Sequence, residues 1–444
     1  MADKLLIRLF DVGLGDCIYC CVPKAHIDGR DFHILIDCGT LSSTDLLATA
    51  VGKLRPLLPL IDGKRRIDLL VVTHEHKDHM TGFGLKLWDD FSFGAIWMNA
   101  AMDLNHPEAE KAKKLHAFAA GAMAQAVRLN LALGPGLQEL ASAVALNKDA
   151  MTTLRETLPN RSKIKPIYVH ADSTKADLKL PLNGASISVL GPERDIDFFY
   201  LGDPGDPSLR SALRFVEAGL PSVTAAVPAA SDIVIPKNID PADFRQLRSR
   251  MLSTALAFAD LDGKVCNNTS VVLLLEWGGK RLLFVGDAEW DQGFKKGKGN
   301  CAWNVMWNLR KQQLDGPLAF LKIGHHGSVN ATPWQMPGAS KGEPLAILDS
   351  ILPVDSKAMA KAVVSTRRGN YETIPRSDLL VEIGRRVSNT KNYQIALRGA
   401  GIPTSNVPKF AEFESESFAK PQPLRTDLER LLGSKGFVDV EIDR

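Results

Sequence analysis

The stretch Leu69 to Phe83, LLVVTHEHKDHMTGF, constrains this chain more than any other. Leu69, Leu70, Val71 and Val72 read as a short buried strand, and the polar cluster Thr73, His74, Glu75, His76, Lys77, Asp78 and His79 begins where that strand must end. Three imidazoles and a carboxylate within six residues offer neutral nitrogen donors and a hard oxygen donor. That mixture suits zinc and, less selectively, iron or manganese. His74 and His76 can point one way while Asp78 and His79 reach another, so one loop can begin two neighbouring metal sites.

With 444 residues the chain can bury a large core, as one big domain or two to three smaller ones. It is 45% hydrophobic and 24% charged, which excludes a disordered class, and a formal net charge of +3 gives no general argument for a nucleic-acid footprint. The opening MADKLLIRLFDVGLGD is too short in apolar residues and too charged for a secretory signal, and no run of about 18 uncharged apolar residues predicts a membrane span. The six cysteines show no disulfide framework, so a reduced, cytoplasmic protein is expected. Cys17, Cys20 and Cys21 fall within a strand pattern and are read as packing residues, with metal or redox chemistry as the alternative.

Strands are expected at Leu5 to Phe10, Cys17 to Val22 and Phe32 to Ile36, the third ending in Asp37. Asp37 is either a turn or helix cap, or a carboxylate that orients the histidine cluster. Helical spacing over Asp45 to Leu57, then the strand before the histidines, predicts an α/β arrangement. A helix is expected from Phe83 to Leu87, then a strand over Phe93 to Met98. Residues 103–158 are rich in Ala, Leu, Lys and Glu and read as a helical insertion, with helices at Lys111 to Asn130 and within Leu137 to Leu158. His106 and His116 there read as surface residues, and Lys111, Lys113 and Lys114 as a solvated face.

Further strands are expected at Ile167 to Val169, Ala185 to Leu190, Val271 to Glu276, Arg281 to Val285 and Leu318 to Ile323, with a Trp277-Gly278-Gly279-Lys280 hairpin turn between two of them, and Glu343 to Val354 and Lys361 to Ser365 are expected to continue the second half of the fold. Repeated Pro, Gly and Asp make 201–248 a loop-rich insertion, followed by a short helix within Arg245 to Leu261. Late elements are a helix at Asp378 to Arg386, a strand at Tyr393 to Leu397, a loop-rich Gly399 to Pro423, a helix at Leu424 to Leu432 and the strand FVDVEI. Four strand ends thus present Asp37, the histidine cluster, Asp287 and the pair His325-His326, and a layered fold can bring them to one edge.

At THEHKDH, joined in order to GDAE and GHHGS, the chain resembles the metallo-β-lactamase superfamily of metal-dependent hydrolases. DVGLGD, NNTSVV, KIGHHGS and NYETIP are most similar to the hydrolase domain of the DNA-uptake protein ComEC, with phosphorylcholine esterases as further relatives. The resemblance implies an αββα sandwich with helical and loop-rich insertions (about 103–165 and 201–265), spanning 1–398, and a C-terminal extension over 399–444 packed on it. It also implies a shallow metal cleft. His74 and His76 would hold the first of two divalent ions, Asp78, His79 and His326 the second, and Asp287 would bridge. Zinc is expected, with manganese or iron as alternatives. His325 would face a phosphate or support the site, and Asp37 would orient it. The chain departs from the family where many members place another histidine before the bridging aspartate. Only His106, His116 and His170 lie in that interval.

The implied reaction is hydrolysis by a metal-bound hydroxide, with Asp37, Asp78, Asp287 and His325 as the residues of catalysis. The expected substrate is a phosphodiester: DNA, RNA or a nucleotide derivative. Asn268, Ser328 and Asn330 read either as oxygen contacts or as turn bonds, and Arg367-Arg368 and Lys295-Lys296-x-Lys298 either as an approach surface or as solvated charge. A noncatalytic metal-stabilised binding protein and a lactone or thioester hydrolase are the alternatives.

Overall fold

Alternation along the strands decides the layering. In β1 (Lys4–Phe10), Leu5, Ile7 and Leu9 join one hydrophobic cluster, while Leu6 and Phe10 join another. The computed structural model describes residues 3–129, 131, 133, 147–203, 205–217, 240–295, 299–336, 339–354, 360–366, 374–384, 386, 387, 424, 425 and 436–444. Among these, two sheets form. The first runs β14-β1-β2-β3-β5-β6-β7, with β2 (Ile18–Val22), β3 (Phe32–Ile36), β4 (Leu60–Ile61, paired only to β5), β5 (Lys64–Val72), β6 (Phe91–Asn99), β7 (Ile167–Val169) and β14 (Phe437–Asp443). The second runs β13-β12-β11-β10-β9-β8, from β8 (Ala185–Gly191), β9 (Val272–Trp277), β10 (Lys280–Phe284), β11 (Phe320–Lys322), β12 (Lys361–Val363) and β13 (Leu424–Arg425).

Three hydrophobic clusters separate four layers. The central one joins Leu5, Ile7, Leu69 and Val71 of the first sheet to Leu273, Leu275, Leu282, Phe320 and Val363 of the second. On the outer face of the first sheet, Leu70, Val72 and Ile96 meet Leu47, Val51 and Leu54 of helix α1 (Thr44–Leu54). On the outer face of the second, Leu283, Leu321 and Ala362 meet Val305, Met306, Ile347, Leu348, Leu379 and Leu380 from three helices. Strands covered on both faces read as continuous apolar runs, which is why β5 and β9 stand out in the sequence. The expected Trp277 to Lys280 turn is present, with Gly278 at φ +55° and Gly279 at +75°, the backbone that a two-residue hairpin needs.

Each sheet starts as an antiparallel meander (β1-β2-β3 and β8-β9-β10) and continues as parallel strands (β3-β5-β6-β7 and β10-β11-β12-β13). The carboxyl ends of β3, β5, β10, β11 and β12 therefore lie at one edge of the two sheets. In sheets with parallel strands that edge is the usual place for a ligand site.

Several elements differ from expectation. After the histidine loop the chain makes only α2 (Lys77–Met80) and a single 3-10 turn over Thr81–Gly84, not a helix to Leu87. Gly82 is pressed against Cys38: a Cβ there would stand 2.6 Å from the cysteine sulfur. The Pro-rich 201–248 stretch is not simply loop. It contains a helix over Pro207–Glu217, and a 28-residue helix starts at Pro241 and runs to Asn268. In both, an aspartate caps the turn and proline occupies the first helical position, where its missing N–H costs nothing: Asp206 Oδ1 accepts from the Ser208 N–H, and Asp240 Oδ1 from the Ala242 N–H. These two helices and α3 (Ala109–Arg128) share a separate cluster around Leu115, Phe118, Leu209, Ala212 and Phe258. Leu424 and Arg425 are strand, paired with β12, rather than the start of a helix. The expected strand over Tyr393 to Leu397, the loop over Gly399 to Pro423 and the continuation of the Leu424 to Leu432 helix lie outside the described residues. β14 pairs antiparallel with β1 along its length. Cys17 and Cys20 are buried in the apolar clusters, and all six cysteines are free.

Candidate metal centre

Asp37 follows β3 with φ +56° and is fully buried. Its carboxylate accepts the Thr73 N–H at 2.7 Å on Oδ1 and the Thr73 hydroxyl at 2.7 Å on Oδ2, and His79 Nδ1–H donates to Oδ2 at 2.8 Å. With its own hydrogen committed to Asp37, Thr73 Oγ1 can only accept from His74 Nδ1, 3.0 Å away. His326 Nδ1–H donates to the Ser365 carbonyl at 2.8 Å. Nδ1 of His74, His79 and His326 is thus committed to these partners, which leaves Nε2 as the nitrogen that faces the donor groups.

Two donor groups result. Asp78, His79, Asp287 and His326 form one and His74, His76 and Asp287 the other; within each, one ligand atom per residue lies within 4.8 Å of every other. His326 Nε2 is 2.9 Å from Asp78 Oδ2, His79 Nε2 is 3.1 Å from Asp287 Oδ2, and His74 Nε2 is 3.5 Å from that same oxygen. Asp287 is itself fixed: its N–H donates to Ser270 Oγ at 3.0 Å and its Oδ1 accepts the His325 N–H at 3.1 Å. His325 and His326 both have positive φ, +42° and +53°. The turn sends His326 into the second group and leaves His325 alongside, with Nε2 3.9 Å from Asp287 Oδ2 and Nδ1 4.0 Å from Glu289 Oε1.

The donor set fits a divalent ion. His76 Nε2 and Asp78 Oδ1 are buried and have no hydrogen-bond partner, which a native interior rarely tolerates unless something else fills the role. Burial, with His79 beside it, pushes His74 well below the usual imidazole range, and burial takes His76 down to about 4. Burial favours neutral His79, yet the carboxylates of Asp287, Asp78 and Asp37 outweigh it and hold the ring charged. Burial favours protonated Asp78 and Asp287 as well, but His79 holds both below the usual carboxylate range. A centre of ionised carboxylates and neutral imidazoles demands positive charge, which His79 supplies here by holding a proton.

Of the three histidines between the loop and Asp287, His106 Nε2–H donates to the Arg194 carbonyl at 2.9 Å, His170 Nδ1 accepts from the Asp172 N–H at 3.3 Å, and His116 pairs with Asp262 at 2.8 Å. None joins a donor group among the described residues, so the first group has His74, His76 and Asp287 alone. Half-buried His116 is neither the surface residue expected nor a ligand. Asn268 is structural: Oδ1 accepts from the Glu289 and Ala302 N–H groups and Nδ2 donates to the Lys264 carbonyl. Ser328 donates to Asn330 at 3.0 Å. Lys295 pairs with Asp291 at 2.7 Å, while Lys296, Lys298, Arg367 and Arg368 lie outside the described residues.

Two residues escaped the sequence reading. Asp16 is buried beside Asp37 and His79 and forms a third donor group with them, but Lys322 Nζ already stands 2.9 Å from its Oδ2. The signal was a lysine inside the apolar run AFLKIG, at a strand position with no outward face.

No family model matches the chain, and no curated protein matches it. Among solved structures, Zn2+-bound PqqB from Methylobacterium extorquens is 12% identical, with a TM-score of 0.36, covering 86% of this chain and 96% of that one.

Proposed function

We propose that this chain is a metal-dependent hydrolase of the metallo-β-lactamase type, acting on phosphodiesters. The observation that carries the reading is the pair of buried donor groups sharing Asp287, with His76 Nε2 and Asp78 Oδ1 left unbonded in them. His74, His76 and Asp287 would hold one divalent cation and Asp78, His79, Asp287 and His326 the second, zinc being the first choice for nitrogen-rich sites and manganese or iron the alternatives. Such cations lower the pKa of bound water toward 7 and polarise a phosphoryl oxygen.

The chain's own residues supply the rest. Asp37 holds Thr73 and His79, and through Thr73 it fixes His74, so the imidazoles need no reorganisation when the site is used. Asp287 places negative charge between the two groups and is held rigid by Ser270 and the His325 N–H. His325, whose ring is not part of either donor group, would contact a nonbridging oxygen of substrate, a role supported by its Nε2 standing 3.9 Å from Asp287 Oδ2. The phosphodiester class, with DNA, RNA or a nucleotide derivative in first place, is supported by the DVGLGD, NNTSVV and GHHGS resemblance. A cytoplasmic setting is supported by six free cysteines. No described helix is long and apolar enough to cross a membrane.

The test is turnover of purified, metal-loaded protein on single-stranded DNA, double-stranded DNA, RNA and bis-p-nitrophenyl phosphate, with Asp78→Ala and Asp287→Ala as controls. Cleavage lost in both controls is expected. Activity on the small diester alone restricts the substrate to small phosphodiesters. Verified folding and metal uptake with no cleavage of any of the four would sink the phosphodiester reading, and lactone and thioester panels would then separate another hydrolase from a binding protein.

A further inference from the structure

Lys322 and Asp16 form a buried ion pair behind the second donor group, both side chains being 1% exposed. The lysine also donates to the Ile323 carbonyl at 3.0 Å. Asp16 reaches both members of the Asp78–His326 contact. Its backbone N–H donates to the Asp78 carbonyl at 2.9 Å. Its Oδ1 accepts from the Ser365 hydroxyl, and the carbonyl of that same Ser365 accepts the His326 Nδ1 hydrogen.

The first group is fixed by other means. His74 is held by Thr73 and Ser270, and the network through Asp16 touches neither His74 nor His76. A fourth buried carboxylate beside Asp37, Asp78 and Asp287 requires a fixed countercharge. Lys322 supplies it from a rigid strand, β11, without occupying a donor atom of either group. We infer that Lys322 and Asp16 are positioning residues for the second donor group, setting Asp78 and His326 to take a divalent cation while leaving the first group's affinity independent of them. This rests on the metal reading above.

The experiment is titration of metal-free protein with Co2+, followed by visible absorption. Wild-type protein is expected to take up two equivalents. Lys322→Met and Ser365→Ala are expected to weaken one of them about 10- to 100-fold, the usual effect of removing a group that orients a ligand, and to leave the other unchanged. Asp78→Ala identifies the affected equivalent, since it removes the same one. Ser365→Ala deletes a single hydroxyl, so it decides the question should Lys322→Met fail to fold. Equal weakening of both equivalents, or wild-type uptake in Ser365→Ala and in folded Lys322→Met, overturns the inference. Wild-type protein that takes up no Co2+ overturns the metal reading itself, a different result from either.

Discussion

A single carboxylate organises the imidazoles. Asp37 accepts three hydrogen bonds, and one of its donors, Thr73, passes the constraint on to His74. Asp37→Ala leaves the buried Thr73 N–H unsatisfied, so a loss of about 1 to 3 kcal/mol in unfolding free energy is expected. Asp37→Asn separates stability from ligand orientation. An amide oxygen can still accept from Thr73, and asparagine tolerates the positive φ. The amide NH2, however, now faces His79 Nδ1 and favours the tautomer with the hydrogen on Nε2. Asp37→Asn should therefore unfold within about 1 kcal/mol of wild type yet bind Zn2+ about 10- to 100-fold more weakly. Denaturant unfolding and a chelator-competition titration measure the two, and wild-type zinc affinity in Asp37→Asn would contradict the orienting role. At this scale the site was legible because its residues are of a type that seldom gathers by chance: His74, His76, Asp78, His79, Asp287 and His326 all fall in the two donor groups. Asp16 and Lys322 were not legible, because a carboxylate in a Gly-rich turn and a lysine in a strand acquire meaning only through the register that brings β11 behind the loop after β1.

Elements were legible where burial is two-sided and misread where one residue type carries two meanings. Strands such as β5 and β9 were found because both faces are covered, whereas β13 was read as a helix start and the two-residue β4 was not read at all. Asp206-Pro207 and Asp240-Pro241 suggested broken chain but are capped helix starts, and nothing local says that α3 and the helices over Pro207–Glu217 and Pro241–Asn268 share one cluster. That cluster contains a pH-sensitive contact, His116 on α3 with Asp262 on the long helix, 2.8 Å apart. Burial pulls the imidazole down, but Asp262 outweighs it, with Glu75 adding to the effect, and the ring titrates at about 9. A histidine raised in the folded state stabilises fully below its unfolded value near 6.5, and the contribution is lost as pH rises through about 9. Between those limits the three-helix cluster should lose roughly 1 to 3 kcal/mol of stability, since one unit is worth about 1.4 kcal/mol and a fifth of the ring remains exposed. Hydrogen exchange of α3 amides, corrected for the intrinsic rate, should show protection falling from pH 6.5 to 9. Asp262→Asn should flatten that slope, and a slope that persists in the variant would assign it to other groups.

At the scale of the whole molecule, the centre sits where the two sheets meet. His74, His76, Asp78 and His79 follow β5 of the first sheet, whereas Asp287 and His326 follow β10 and β11 of the second. The sheets are held together by the apolar cluster between them, but at this edge the contacts are carboxylates and imidazoles with two buried atoms unbonded. A cation held by both donor groups would therefore act as a crosslink between sheets, and its binding energy would appear as folding energy. By mass action a ligand at about 1,000 times its dissociation constant adds about 4 kcal/mol to the folded state. Adding Zn2+ to chelator-treated wild-type protein should raise the unfolding temperature in a concentration-dependent way. Asp287→Ala removes the residue common to both groups and should abolish most of that rise. His76→Ala, which removes one ligand of the first group only, should keep part of it, because the second group retains all four of its donors. The ordering wild type, His76→Ala, Asp287→Ala in metal-dependent stabilisation follows from the sharing of Asp287, and scanning calorimetry with and without zinc measures it. An equal loss in the two variants would mean that the groups do not bind independently, and a rise preserved in Asp287→Ala would place the zinc somewhere other than between the sheets.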